Sequence, residues 1–210
     1  MSRLRLDEIE AGFLSETARL RGLFLGAGLA CPTCPLGQDG VVARATTEFC
    51  VLRLHDSWSR YCRSIVIASA AGAITSAGTR LPRTKGVRGF SSVPARLKAI
   101  EGGGRAWREP PWHVSARLVA AAYELSIANL LQVQAGVGLA QSPEPDLRRL
   151  RNFFAHYRAD TGEKVATLCD DLGLARRTPP TVIPLQVAGG ISRFEEWMNT
   201  LEYMAGVMAQ

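Results

Sequence analysis

An arginine, an amide and an imidazole fall within six residues of this chain, Arg151-Asn152-Phe153-Phe154-Ala155-His156. Histidine takes or gives a proton near neutral pH. Arginine holds a fixed charge and a fork of donors that matches phosphate oxygens. An amide can orient either partner or bind a phosphate oxygen itself. Together these groups suit the cleavage of RNA, in which a 2′-hydroxyl attacks the adjacent phosphorus and the site must move protons and stabilise extra negative charge. The chain has three histidines, His55, His113 and His156, and His156 is the one beside arginine-rich turns. The chemistry needs no metal or other cofactor, and no carboxylate cluster accompanies the hexamer to hold a cation.

Spacing becomes geometry if the segment is helical, at about 100° per residue. Leu147, Leu150, Phe154 and Tyr157 then share one narrow apolar stripe. Asn152 and His156, four residues apart, stack on the opposite side with Arg149, while Arg148 and Arg151 flank that face. Histidine in general is more often a structural residue than a catalyst, but this wheel turns His156 away from the core. Three arginines in early helical turns also oppose the macrodipole, whose N-terminus favours anions, so an anion is expected on this face. A solvated basic face is the plainer alternative.

The elements that must position these groups read as helices. Asp7 can cap a first helix with Glu10 as its capping-box partner, and Gly26-Ala27-Gly28 ends it. Residues 31–46 are a turn-rich connection. A long helix over residues 47–73 carries Phe49, Leu52, Trp58, Tyr61, Cys62, Ile65 and Val66 as one buried stripe. Residues 77–113 contain too many prolines and glycines for continuous helix and read as a mobile basic excursion, with a short helix over 95–101. A further apolar helix covers residues 115–134. Asp146 is the expected N-cap of the helix bearing the hexamer, which runs to residues 160–162 and continues over 163–174. Ser192 and Glu195 form a capping box for a last helix over 191–208. No strand alternation or repeat stands out, so the fold is expected to be all-α, an antiparallel helical bundle forming a single domain over residues 1–210.

Composition bounds the partners. The segment 80–108 sets eight cations, including Arg83, Lys85 and Arg88, against Glu101 alone, a net charge of +7, and leaves −1 for the rest. That is an electrostatic footprint for a polyanion such as RNA, or else an arginine-rich solvated loop. Five cysteines, an odd number, point to a reducing compartment. Cys31 and Cys34 lack the second pair a structural zinc site needs, so a proline-containing turn is the simpler reading. The start of the chain reads as an amphipathic pattern rather than a secretory signal, and its longest apolar run, residues 65–74, is half what a bilayer requires. A soluble, cytoplasmic protein with no membrane association is expected.

The hexamer, placed after a Pro-Glu-Pro-Asp helix start in an all-α chain, resembles the signature of HEPN domains. In those all-α domains an Arg, a following polar residue and a His define an RNase site. The resemblance implies a HEPN-like bundle, here with a basic loop insertion, acting as a metal-independent endoribonuclease on single-stranded RNA. Toxin–antitoxin and anti-phage defence systems are the expected setting. By that resemblance Arg151 would bind and stabilise the scissile phosphate, His156 would be the general acid or base, and Asn152 would position one of them. Glu124, from an earlier helix, would be a supporting polar group, with an ordinary exposed helix position as the alternative. The site would be composite, built by two copies in a homodimer, and a cognate antitoxin or defence-complex subunit would be a further partner. The chain departs from the adenylylated toxins of this family, which carry a tyrosine two residues after the histidine: here Tyr157 follows at once and Arg158 holds that place. Two other readings remain, a non-catalytic HEPN-like RNA-binding or scaffolding subunit and a plain helical interaction module.

Overall fold

A computed structural model of the protein describes residues 4–29, 40–100, 109–139, 141–174, 182–185, 187 and 189–210. Cys31, Cys34, Glu101, Arg105, Arg108 and the proline-rich link over 178–181 lie outside these residues. Among the described residues the fold is all-α: α1 (Leu6–Gly26), α2 (Val41–Ala70), a 3-10 turn (Phe90–Ser92), α3 (Val93–Ile100), α4 (Ser115–Glu124), α5 (Leu130–Val137), α6 (Glu144–His156), α7 (Ala159–Asp171) and α8 (Arg193–Met208). The only extended pairing among them is a pair of isolated bridges, Arg5 to Ile74 and Ile74 to Arg80. No helix among them is long and apolar enough to cross a membrane.

The chain divides into two compact units. The first comprises residues 1–14, 57–142 and 202–210, and the second residues 15–56 and 143–201.

In the first unit the later turns of α2 supply the core. Trp58, Tyr61, Cys62, Ile65, Val66 and Ile67 are all buried. Phe13 from the start of α1 packs its ring 5.7 Å from Trp58 and 5.1 Å from Tyr61, and the Tyr61 hydroxyl donates to the Ala205 carbonyl at 2.7 Å. A side chain at Gly136 would meet Met208 Cγ at 2.5 Å, so only glycine lets α5 lie this close to the end of α8. Asp7 is not the N-cap the sequence suggests. The Leu6 amide donates to the Ile74 carbonyl, α1 starts one residue earlier, and Asp7 instead accepts the Arg5 fork at 3.0 and 2.7 Å.

The expected helix over 115–134 is two helices. Ser126 takes a left-handed conformation (φ 50°), its amide donates to the Tyr123 carbonyl, and the Ile127 amide donates to that of Ala122. This is a Schellman ending without the usual glycine. It buries Leu125 and Ile127 on either side of the break, which a continuous helix would turn to different faces.

The basic segment is not a free excursion over its described residues. Leu81, Val87, Val93, Leu97 and Trp112 are buried, and α3 begins with Pro94 in its first turn, where a proline is tolerated. Its return is pinned by Glu109, whose carboxylate accepts from Arg63 Nε and Nη2 at 2.5 and 2.8 Å and from Trp112 Nε1 at 2.9 Å.

In the second unit Phe24 of α1 lies 5.0 Å from Phe194 of α8, and Glu16 accepts both Arg19 and Arg53, which holds its carboxyl down to about 2. Phe49, expected in the buried stripe, is 42 % exposed and lies under the Arg19 guanidinium at 5.7 Å. The capping box at the start of α8 forms as the sequence suggests: the Glu195 amide donates to Ser192 Oγ at 3.2 Å and the Ser192 amide to Glu195 Oε2 at 3.0 Å.

Candidate functional site

The hexamer occupies the last turns of α6 in the second unit. Leu147, Leu150 and Phe154 are buried, and α7 packs back beside α6. Phe153 supports that return, with its ring edge near the open face of Gly162. The helix starts differently from expectation: Pro143 is the N-cap, and Asp146, rather than capping, sits in the first turn with Glu144.

Those two carboxylates change the electrostatics of the arginine face. Glu144 lies 3.5 Å from Arg148 Nε, and Arg149 is shared between Asp146 at 3.6 Å and Asp171 of α7 at 3.7 Å. Burial raises the carboxyls of Glu144 and Asp146 above their ordinary values, and the neighbouring guanidinium groups pull them back. The anion expected by the first-turn arginines is thus supplied by the protein itself for Arg148 and Arg149.

Arg151 stands apart from this pairing. It is half-buried, Nη1 lies 3.4 Å from Asn152 Oδ1, and Nε is enclosed with no hydrogen-bond partner among the described residues. Its position on the wheel, beside the buried Leu147, accounts for the partial burial. Asn152 is half-buried beside it, and His156 is exposed in the last turn. The structure therefore brings Arg151 and Asn152 into contact and leaves His156 open to solvent one turn on. Glu124 is exposed at the end of α4 in the first unit, as are Arg83, Lys85 and Arg88 in the segment before α3.

Tyr157 is where the helical wheel fails. The helix stops at His156, and Tyr157 takes a left-handed conformation (φ 44°) with its side chain 60 % exposed, not in the apolar stripe. Its amide closes the last turn on the Phe153 carbonyl at 2.8 Å. The next helix starts at once, the Thr161 hydroxyl accepting from the Arg158 amide at 3.1 Å and donating to the Arg158 carbonyl at 2.8 Å. A left-handed tyrosine is costly, and something must hold it. The ring lies 5.2 Å from that of Phe153, and the hydroxyl donates to Glu48 Oε2 on α2 at 2.6 Å. Nothing local in the sequence marks Glu48 as a neighbour of the hexamer, because 109 residues separate it from Tyr157.

The Glu48 bond has a measurable consequence. Losing the phenolic proton would place two anions side by side, so Tyr157 titrates at about 12 instead of near 10. A pKa raised in the folded state stabilises the fold below the unfolded value near 10, and that contribution is lost as pH rises through about 12. Glu48→Gln is expected to return one tyrosine of the ultraviolet titration toward 10; a titration curve identical to that of the wild type would show that the carboxylate does not hold this phenol.

An apolar depression of about 520 Å³, lined by Leu23, Val41, Val42, Ala45, Thr46 and Phe49, contains no ionisable side chain and does not include the hexamer. Among the described residues no group of three or more His, Cys, Asp or Glu side chains is arranged to hold a metal ion. Neither a protein-family model, a curated protein nor a solved structure matches this chain.

Proposed function

We propose that this protein is an endoribonuclease that cleaves single-stranded RNA through its own ribose hydroxyl. The observation that carries the reading is the end of α6. There an exposed imidazole, His156, follows a guanidinium, Arg151, whose fork is not neutralised by a carboxylate among the described residues. In the reaction the 2′-oxygen bonds to phosphorus as the bond from phosphorus to the 5′-oxygen breaks. A proton leaves the 2′-hydroxyl and one reaches the departing 5′-oxygen. His156 can perform either transfer. Arg151 donates to the non-bridging oxygens as their charge grows, and Asn152, already in contact with it, sets its direction. One chain offers one such imidazole, so by the resemblance to HEPN domains a second copy of the hexamer completes the proton transfers in a shared cleft. A role as a toxin or anti-phage effector follows from the same resemblance.

The mechanism dictates the product ends. Cleavage of a uridine-rich RNA is expected to leave 2′,3′-cyclic phosphate and 5′-hydroxyl termini, and to persist in excess chelator. Products ending in 3′-hydroxyl and 5′-phosphate would require attack by water, and the proposal would fall.

A further inference from the structure

The formal charge of the chain is not shared between its units. The first unit contains 13 arginines and lysines against 7 carboxylates, a net of +6, while the second, which bears the hexamer, balances 12 against 12. The whole +6 of the protein thus resides outside the unit that holds the residues proposed to cleave. Within the first unit no aspartate or glutamate occurs between Asp56 and Glu101. The carboxylate that follows, Glu109, is committed to Arg63 and Trp112.

The stretch before and into α3 holds exposed cations on a backbone tied down by hydrogen bonds. Arg80, Lys85, Arg88 and Arg96 are exposed, and none has an ion-pair partner among the described residues. Along the sequence they alternate with the buried anchors Leu81, Val87 and Val93. The backbone between is tied down at each step. The Leu81 amide donates to Ala73, the Thr84 amide to Ala70, and the Thr84 hydroxyl to Leu125 at 2.6 Å. The amides of Arg88 and Gly89 both donate to Ser92 Oγ. Arg83 belongs to this framework, since its Nε donates to the Ala71 carbonyl and its stem lies across Gly72 (φ 84°), where any other residue would collide.

We infer that this surface of the first unit is a docking platform for the phosphate backbone of a single-stranded nucleic acid. Lys85 and Arg88 flank the turn that the Val87 amide closes on the Thr84 carbonyl, and three residues apart they stand at most about 10 Å from each other, near enough to meet neighbouring phosphates of one strand. Holding the backbone that bears them in place removes the backbone part of the ordering cost that a mobile loop would incur on binding. Phe90 is 37 % exposed between Arg88 and Arg96 in sequence and offers a ring on which a base can stack. Basic side chains interleaved with an exposed aromatic are the arrangement single-strand binders use, and stacking on Phe90 tolerates any base. This platform does not depend on the chemistry proposed for His156.

The test is fluorescence anisotropy with labelled 20-nucleotide oligouridylate and oligothymidylate, run on the full chain carrying His156→Ala so that no cleavage intervenes. Binding of either strand is expected to weaken with salt. Substituting Arg80, Lys85, Arg88 and Arg96 together by glutamine is expected to weaken it at least tenfold at about 0.15 M salt, and to flatten the logarithmic salt dependence by about 2–3, near 0.7 for each phosphate no longer neutralised. Phe90→Ala is expected to weaken binding about fivefold or more with the salt slope unchanged. Unchanged affinity and slope in the quadruple variant would overturn the inference. So would binding to vesicles of phosphatidylserine and phosphatidylcholine without binding to either oligonucleotide. Binding without cleavage in the wild-type chain would support the platform while defeating the proposed mechanism.

Discussion

His156→Ala is expected to slow RNA cleavage by about 10²–10⁴-fold, the range that a positioned general acid or base contributes. The folded state should barely register the change. His156 is exposed in the last turn of α6, where its side chain is not part of the core. Alanine is also the residue best suited to a helix. Arg151→Ala should impair cleavage comparably through lost charge stabilisation, but with some cost in stability, because the side chain is half-buried and its Nε is enclosed. Arg151→Lys separates the two roles: it retains charge and stem yet loses the fork, so a residual deficit in rate would report geometry rather than charge. Rates within twofold of the wild type for both His156→Ala and Arg151→Ala, measured on folded protein by thermal melting and cleavage kinetics, would remove the hexamer from the mechanism.

What was legible in the sequence was what is decided within one or two helical turns. The Ser192–Glu195 capping box needs only three residues of separation, and it forms. The stripe of Leu147, Leu150 and Phe154 follows from the period of the helix, and all three are buried. A wheel says nothing of where the helix ends. Tyr157 falls on the same calculated stripe but leaves the core, because its backbone turns left-handed and its hydroxyl finds Glu48, far away in sequence. Ser126 ends a helix in the same conformation, without the glycine that would have announced it. Charge pairing failed for a similar reason. The arginines near the start of α6 resemble an anion site until Asp171 of α7 is placed beside Arg149. In the basic segment the prolines and glycines mark irregular backbone correctly, but irregular is not the same as mobile: Leu81, Val87 and Val93 anchor it where no period could show.

Phe154→Ala is expected to act on the same hexamer through the opposite term. The ring is 5 % exposed and meets those of Phe153 at 5.6 Å and Tyr157 at 6.5 Å, so truncation removes buried area and leaves a cavity beneath the last turn of α6. Phenylalanine truncation in a core costs about 3–5 kcal/mol, a large part of the roughly 5–15 kcal/mol that holds a typical domain together. For a chain of this size that corresponds to a fall in Tm on the order of 10 °C. Cleavage should fall too, but only as far as the folded population falls. Cooling the variant well below its new Tm should therefore recover most of the rate, whereas His156→Ala should stay slow at every temperature. Phe154→Leu, which refills much of the volume, should lie between the two in stability and near the wild type in rate. If Phe154→Ala instead melts like the wild type yet cleaves slowly at all temperatures, the ring serves the reaction and not the core. The division between buried anchor and exposed imidazole would then have to be redrawn.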